Sequence, residues 1–268
     1  MIRHLKGAAL WFVFIFVAGQ LSASQNISVR VGVYSFPPIA AVGHNNKATG
    51  LLGDLLTELE RQHNNLSFQV IHTSPKRRQM DFNSGLFDVI FFENPSWSWD
   101  QATIRTSAPI LQVEEVYLAL NKDNRDQSFF ENLNERQIVA IAGYHYGFAS
   151  QETDSDELHK QFNIELSHSH QRNIDLIRAD RPSIAEVAVV SSSFHRAYFL
   201  RFPEHRNDFL ISEKADQIYE LGVITRKDGP VSVQTIEDLL GPLIESGFYQ
   251  SLVEKYGLTL PGRLRPSP

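Results

Sequence analysis

Residues suited to holding a small molecule gather at three places in this sequence. Tyr34 and Phe36 stand in Tyr34-Ser35-Phe36-Pro37-Pro38, while Glu93, Asn94, Trp97 and Trp99 share one polar and aromatic loop, Glu93 to Trp99. Tyr144, His145 and Tyr146 lie between Gly143 and Gly147. Aromatic faces of this kind stack on planar solutes or close over them. Covalent chemistry is not signalled, since the chain has no Gly-x-Ser-x-Gly elbow, His-Glu-x-x-His pair, P-loop or cysteine nucleophile. His168-Ser169-His170 offers two imidazoles to a metal, but no third ligand accompanies them. Binding is therefore expected rather than catalysis, with no cofactor and no metal.

The elements that must position these groups read as alternating strands and helices. Val29, Val31 and Val33 form a short β-branched strand, and the two prolines that follow Phe36 force the backbone off the sheet. Gly50-x-x-Gly53-Asp54 then opens a helix with Leu51, Leu52, Leu55, Leu56 and Leu59 at helical spacing. Aromatics thus sit at the carboxyl end of a strand facing a helix start, where open α/β sheets bind ligands. A core strand with a surface turn is the plainer alternative. Leu66 to His72 reads as the next strand, Pro75 to Phe82 as a helix ending near Gly85, and Asp88 to Phe92 as a third strand. This β-α-β-α-β run favours a parallel sheet and places the Glu93 loop beside the Tyr34 loop. Val113 to Asn121 reads as an extended crossover. A second set follows, with strands at Ile138 to Ala142 and Val187 to Val190, after which Gly222 to Thr225 reads as a late strand and Val233 to Tyr256 as a helical tail. Two such sets imply two lobes.

Residues 1–24 carry Arg3 and Lys6, an apolar run from Ala8 to Ala18, and Ser22-Ala23-Ser24, the layout of a cleavable signal peptide. The apolar run is short for a stable span, although an uncleaved anchor is the alternative. With no cysteine to lipidate, the expected product is a periplasmic protein that is not lipid-anchored. The leader removes two cations and no acid, so the formal charge moves from −6 to −8. That balance argues against nucleic-acid partners.

The order of elements resembles the extracellular solute-binding proteins of family 3, the polar-amino-acid type that serves ABC importers, as a divergent member. The carriers of the resemblance are Val31-Gly32-Val33-Tyr34 with Pro37-Pro38, Gly50-x-x-Gly53-Asp54, Gly85-x-x-Asp88, Ser107-Ala108-Pro109, Gly143, Gly241, and Gly247 with Leu252. The resemblance implies an α/β, two-lobed type II (Venus-flytrap) fold, each lobe a mostly parallel sheet flanked by helices. Lobe one would comprise residues 25–114 and 222–268, and lobe two 115–221, joined by hinge strands near Glu115 to Leu120 and Tyr219 to Val223. It further implies a monomer that closes on a small polar solute, amino-acid-like or carboxylated, and docks on an ABC permease. A membrane sensor is the alternative partner, and a dehydratase-like enzyme or a ligand-free structural role are alternative functions.

The chain departs from the family where amino-acid receptors clamp their ligand. The family's arginine for the α-carboxylate aligns with Asp100, and its acid for the α-ammonium aligns with Ser192. Losing such a buried partner costs about 2–5 kcal/mol, so ordinary amino acids should bind on the order of 100-fold more weakly unless another cation substitutes. Arg77 is the expected substitute for anion contact, although Pro75-Lys76-Arg77-Arg78 also reads as a solvated helix start. Glu93 would contact a ligand cation or hydroxyl, or instead pair with Arg77 or Arg105. Tyr34, Phe36 and Trp97 would form apolar walls, with Asn94 beside them and only one of Trp97 and Trp99 facing inward. Tyr144, His145 and Ser192 would close from lobe two, their bulk giving a smaller or flatter cavity. His145 reads more simply as a hydrogen-bonding group than as a titrating switch.

Overall fold

A computed structural model describes residues 26–265. The expected signal peptide, residues 1–24, therefore lies outside the described residues. The chain begins with β1 (Ile27–Val33), an Ala41–Val42 and Ala48–Thr49 ribbon (β2, β3), α1 (Gly50–Gln62), β4 (Leu66–His72), α2 (Arg78–Asn83), β5 (Val89–Glu93) and β6 (Ile104–Thr106). β1 pairs in parallel with β4 from Ile27 opposite Leu66, and with β5 at Val31 opposite Val89. Val29, Val31 and Val33 point into the core, as do all five leucines of the α1 stripe. Each such side chain removed from water is worth about 1.5–3 kcal/mol. Arg30, between the buried valines, reaches out to Asp88 at 2.6 Å and ties the two parallel strands at their entrance.

β7 (Leu111–Leu120) leads into the second lobe, which holds β8 (Ile138–Ile141), α3 (Ser155–Gln161), β9 (Ile164–Ser167), α4 (His170–Arg178), β10 (Val187–Ser191), α5 (Ser192–Arg201) and β11 (Phe209–Ile211). β8 is parallel to both β9 and β10, and separate apolar clusters cover the two faces of this sheet. β12 (Gln217–Arg226) returns, antiparallel to β7 along Gln217–Leu221 and then to β5. The order is therefore β4-β1-β5-β12-β7-β10-β8-β9, with β7 and β12 in the middle. α6 (Val233–Glu245) and α7 (Phe248–Lys255) pack back on the first lobe through Ile236, Leu240, Leu243 and Tyr249. Lys255 and Tyr256 meet Asp54 of α1 at 2.6 and 2.8 Å.

Two elements differ from the sequence expectation. The expected helix from Pro75 begins only at Arg78, because Ser74 O accepts the amides of both Arg77 and Arg78 and holds Pro75 to Arg77 in a turn. The helical tail is two helices, broken at Gly247, whose φ of +74° suits glycine.

Candidate functional site

Tyr34 and Phe36 leave the carboxyl end of β1 in a loop that folds back on itself, Phe36 N–H donating to Ala40 O at 2.7 Å. The amides opening α1 are spent on that loop: Leu51 and Leu52 donate to Pro38 O and Ile39 O at 3.2 and 2.9 Å. Gly50 makes the approach possible, with φ of +77° and a Cβ position that Pro38 O would occupy. The aromatics are thus locked in place, and the helix start is not free for a ligand.

Glu93 is placed by an irregularity in β5. Across from Gly222 and Val223 the register shifts, and the extra residue, Phe92, adopts φ of +60°. A bulge of this kind re-aims the next side chain, and Glu93 turns fully inward with no exposure. Its Oε2 accepts from Trp99 Nε1 at 2.9 Å and from Arg78 Nε at 3.1 Å, while Oε1 has no partner. Arg78 is 2% exposed. Its Nη1 donates to Pro75 O, which leaves Nη2 uncommitted among the described residues. The guanidinium lies 5.5, 5.9 and 6.0 Å from the ring centres of Tyr34, Trp97 and Trp99, a cation ringed by π faces.

Arg77, expected to make the anion contact, is not in this group. Its side chain is 63% exposed and pairs with Asp81 at 3.2 Å, one helical turn along. One residue of helix rotates the side chain by about 100°, so Arg78 shares the inward face with Phe82 while Arg77 points to solvent. Glu93 accordingly pairs with neither Arg77 nor Arg105. Of the two tryptophans, as expected, only one faces the cleft: Trp97 borders it, while Trp99, also buried, packs behind it on Phe82 at 5.2 Å.

The second lobe meets this floor directly. Gly143, with φ of +79°, lies so near the turn before α2 that a Cβ would stand 2.8 Å from Lys76 Cγ. Tyr144 donates its hydroxyl to Ser35 O at 3.0 Å and sets its ring edge-on to Phe36. His145 stacks on Trp97, centroids 5.6 Å apart and planes 8° from parallel, and its Nε2 lies 3.2 Å from Ser98 Oγ. Lys76 Nζ reaches Ser155 Oγ at 2.6 Å. The cavity left between Tyr34, Arg78, Trp97, Tyr144, His145 and Tyr219 is about 10 Å³, room for little more than one water. A polar hollow of about 450 Å³ opens beside it, also touching Arg78 and His145, with Gln79, Ser98, Asp154 and Asp156 around it.

Burial, reinforced by the Arg78 charge, pushes the His145 imidazole down to about 4, so the ring is neutral at pH 7. Burial drives the phenols of Tyr34 and Tyr144 well up, and both stay protonated. Beneath the cleft, Tyr219 of β12 packs on Trp97 at 5.1 Å and donates to Glu115 Oε1 of β7 at 2.7 Å. Glu115 is 1% exposed with Oε2 unpartnered, and burial raises its carboxyl to about 8.

Two expected site residues lie elsewhere. Ser192 opens α5, whose cap is the preceding Ser191, and it borders a separate hollow of about 50 Å³ with Gln112, Glu114 and Gly257. Asn94 is a turn-former, accepting from Ser96 N–H at 2.9 Å and donating to Glu220 O at 3.1 Å. Asp100, at the aligned position of the family's arginine, is exposed and accepts from the amide of Ala102. The sequence reading missed Arg78 and Tyr219. Only Arg78 had a signal, its spacing of four from the apolar Phe82. Among the described residues no three His, Cys, Asp or Glu side chains converge as a metal site.

Comparison by sequence with curated proteins returns no match. Among solved structures, a mutant of ArgBP from T. maritima superposes with a TM-score of 0.66 at 19% identity, over 86% of this chain and 95% of that one. An ABC uptake transporter substrate-binding protein from Streptococcus pneumoniae, with bound histidine, gives 0.66 at 15%, over 85% and 92%. The ancestral amino acid-binding protein AncCDT-1, a precursor of cyclohexadienyl dehydratase, gives 0.64 at 19%, over 85% and 94%. At these identities the likeness speaks for the two-lobed fold. Residues 29–259 match bacterial extracellular solute-binding proteins, family 3, and with that match spanning most of its length the chain belongs to this family.

Proposed function

We propose that this protein captures a small amino-acid-like or carboxylated solute in its interlobe cleft and presents its closed form to a membrane partner. The observation that carries this reading is the buried Arg78–Glu93 pair at the cleft floor, each member keeping one uncommitted hydrogen-bonding atom. A zwitterion matches both, giving its carboxylate to Arg78 Nη2 and its ammonium to Glu93 Oε1. Tyr34, Phe36 and Trp97 would wall the solute, and Tyr144 and His145 would close over it. Asn94, Ser192 and Arg77 have no part in the contact.

The cavity of about 10 Å³ requires the lobes to part before a solute enters. What the solute must displace is modest: an aromatic stack such as Trp97 on His145 is worth about 0.5–1.5 kcal/mol, against about 8 kcal/mol for micromolar binding. The lobes are taken as residues 25–114 with 222–268, and 115–221. The family's extracellular character and the leader support export to the periplasm, where a monomer would serve an ABC permease, with a membrane sensor as the alternative client. Glu93 is engaged by Arg78 and Trp99, so we assign it no acid-base reaction.

A thermal-shift panel of amino acids, polyamines, organic acids and aromatic acids tests the reading, because binding to the native form alone raises the midpoint by mass action. Carboxylated or zwitterionic solutes should raise it in the wild type and fail to do so in Arg78→Met. A response undiminished in both Arg78→Met and Glu93→Gln, or one confined to polyamines, would sink the assignment.

A further inference from the structure

A further pocket, of about 140 Å³, lies between Ser35 and Pro37 of the first lobe and the start of α4 in the second. Its inner wall is His170, 3% exposed and wedged between the rings of Tyr144 and Phe194, at 5.7 and 4.9 Å. Neither ring nitrogen has a hydrogen-bond partner, and both are covered from solvent, so a small turn of the ring is what would bring its N–H to the pocket. A neutral imidazole carries one donor and one acceptor, and a buried polar group left bare is costly. If packing were the only task, phenylalanine would serve it better.

His170 is also the first residue of a nine-residue helix. The opening amides of a helix have no intrahelical acceptor. Ser169 Oγ satisfies that of Arg172 at 3.3 Å, which leaves the N–H groups of His170 and Gln171 without one among the described residues. No carboxylate lines the pocket, and the neighbouring Glu165 is turned to Arg172 at 3.2 Å. His168 stands at the rim. Bare donors, a helix's positive end and no competing acid together describe a cradle for negative charge.

We propose that this pocket binds a small oxyanion, a carboxylate or phosphate group, through the His170 imidazole and the first amides of α4. Because Ser35 and Pro37 form the facing wall, the anion bridges the lobes and favours their closed arrangement. The site is distinct from the Arg78–Glu93 floor, whose cavity it does not share.

The test titrates acetate and inorganic phosphate into the full mature chain, with chloride and acetamide as controls at matched ionic strength. Thermal midpoint and the imidazole resonances of His170, assigned by their loss in His170→Phe, are followed together. Acetate and phosphate are expected to raise the midpoint and shift those resonances, the controls to do neither. Removing the donor in His170→Phe should weaken the response about tenfold or more. Gln171→Pro deletes one amide of the first helical turn, where that N–H has no intrahelical acceptor, and should also weaken it, which keeps the test open if His170→Phe does not fold. Arg78→Met should retain the phosphate response, separating this site from the cleft floor. An equal response in His170→Phe, or a midpoint rise with unmoved His170 resonances, would overturn the proposal by reducing it to a general ionic effect.

Discussion

Replacing Arg78 by methionine, Glu93 by glutamine, and then both, measures how far the cleft floor acts as one unit. Nε and Oε2 are 3.1 Å apart and the two side chains are 2% and 0% exposed. With charge centres about 4 Å apart and an effective dielectric of about 20, their attraction is about 4 kcal/mol. Each single replacement strands a buried charge, for which losses of about 3–5 kcal/mol are usual. The double replacement strands none. Glutamine still offers a carbonyl oxygen to Trp99 Nε1, and methionine fills the volume of the arginine stem. The double variant should therefore lose no more than either single one, a coupling of about 3 kcal/mol. Without residues 1–24, Trp97 and Trp99 are the only tryptophans, so urea unfolding followed by their fluorescence reads the site itself. If the two single losses sum to the double loss within about 0.5 kcal/mol, the pair is not an energetic unit and the reasoning fails. A changed slope against urea would instead mean that unfolding is no longer two-state or that the compactness of one end state has changed.

Arg77→Ala should leave stability and solute response within about 0.5 kcal/mol of wild type, in contrast to Arg78→Met; parallel thermal shifts compare them. Glu115 titrates near 8 when folded and near 4.5 when unfolded, so its neutral form stabilises the fold below about 4.5 and that contribution fades as pH rises towards 8. Glu115→Gln, which keeps an acceptor for Tyr219, should gain about 2–3 kcal/mol at pH 7 and almost nothing at pH 4.5; urea midpoints at both values would expose an error if the gain were equal. The buried imidazoles of His145, His170 and His195 are each pushed down to about 4. The unfolded chain therefore takes up protons that the native state refuses, and stability should fall as pH drops from about 6.5 to about 4. Replacing all three by phenylalanine should flatten that fall, and a profile no flatter than wild type would count against it. Gly143→Ala adds a methyl where Lys76 already stands and strains a positive φ, so it should hold the lobes apart; small-angle scattering should show a larger radius of gyration, and an unchanged one would refute the contact.

The architecture was open to reading because its signals are local. The valines of β1, the leucine stripe of α1 and the prolines after Phe36 each fix an element by period or by sterics, and the structure places all of them as expected. Side-chain direction at the site was harder. Arg77 and Arg78 are chemically alike, and a start displaced by a three-residue turn decides which faces the cleft. Glu93 depends on a bulge set by β12, more than 120 residues away in the chain, and no local pattern around Phe92 announces it. The alignment that puts Ser192 at the family's acid cannot register that Ser191 caps the helix and turns Ser192 elsewhere.

The central ribbon has a mechanical meaning. From Gln217 opposite Glu115 to Leu221 opposite Leu111, the two connecting strands are hydrogen-bonded to each other. They do not behave as two loose tethers. A two-stranded ribbon bends in its own plane with difficulty but changes twist readily, so the closure proposed above would be channelled into one torsional coordinate, like a strip of spring steel. Tyr219 and Glu115 sit on that strip and join across it. A chemical change at their contact alters the rest angle of the spring rather than the shape of either lobe.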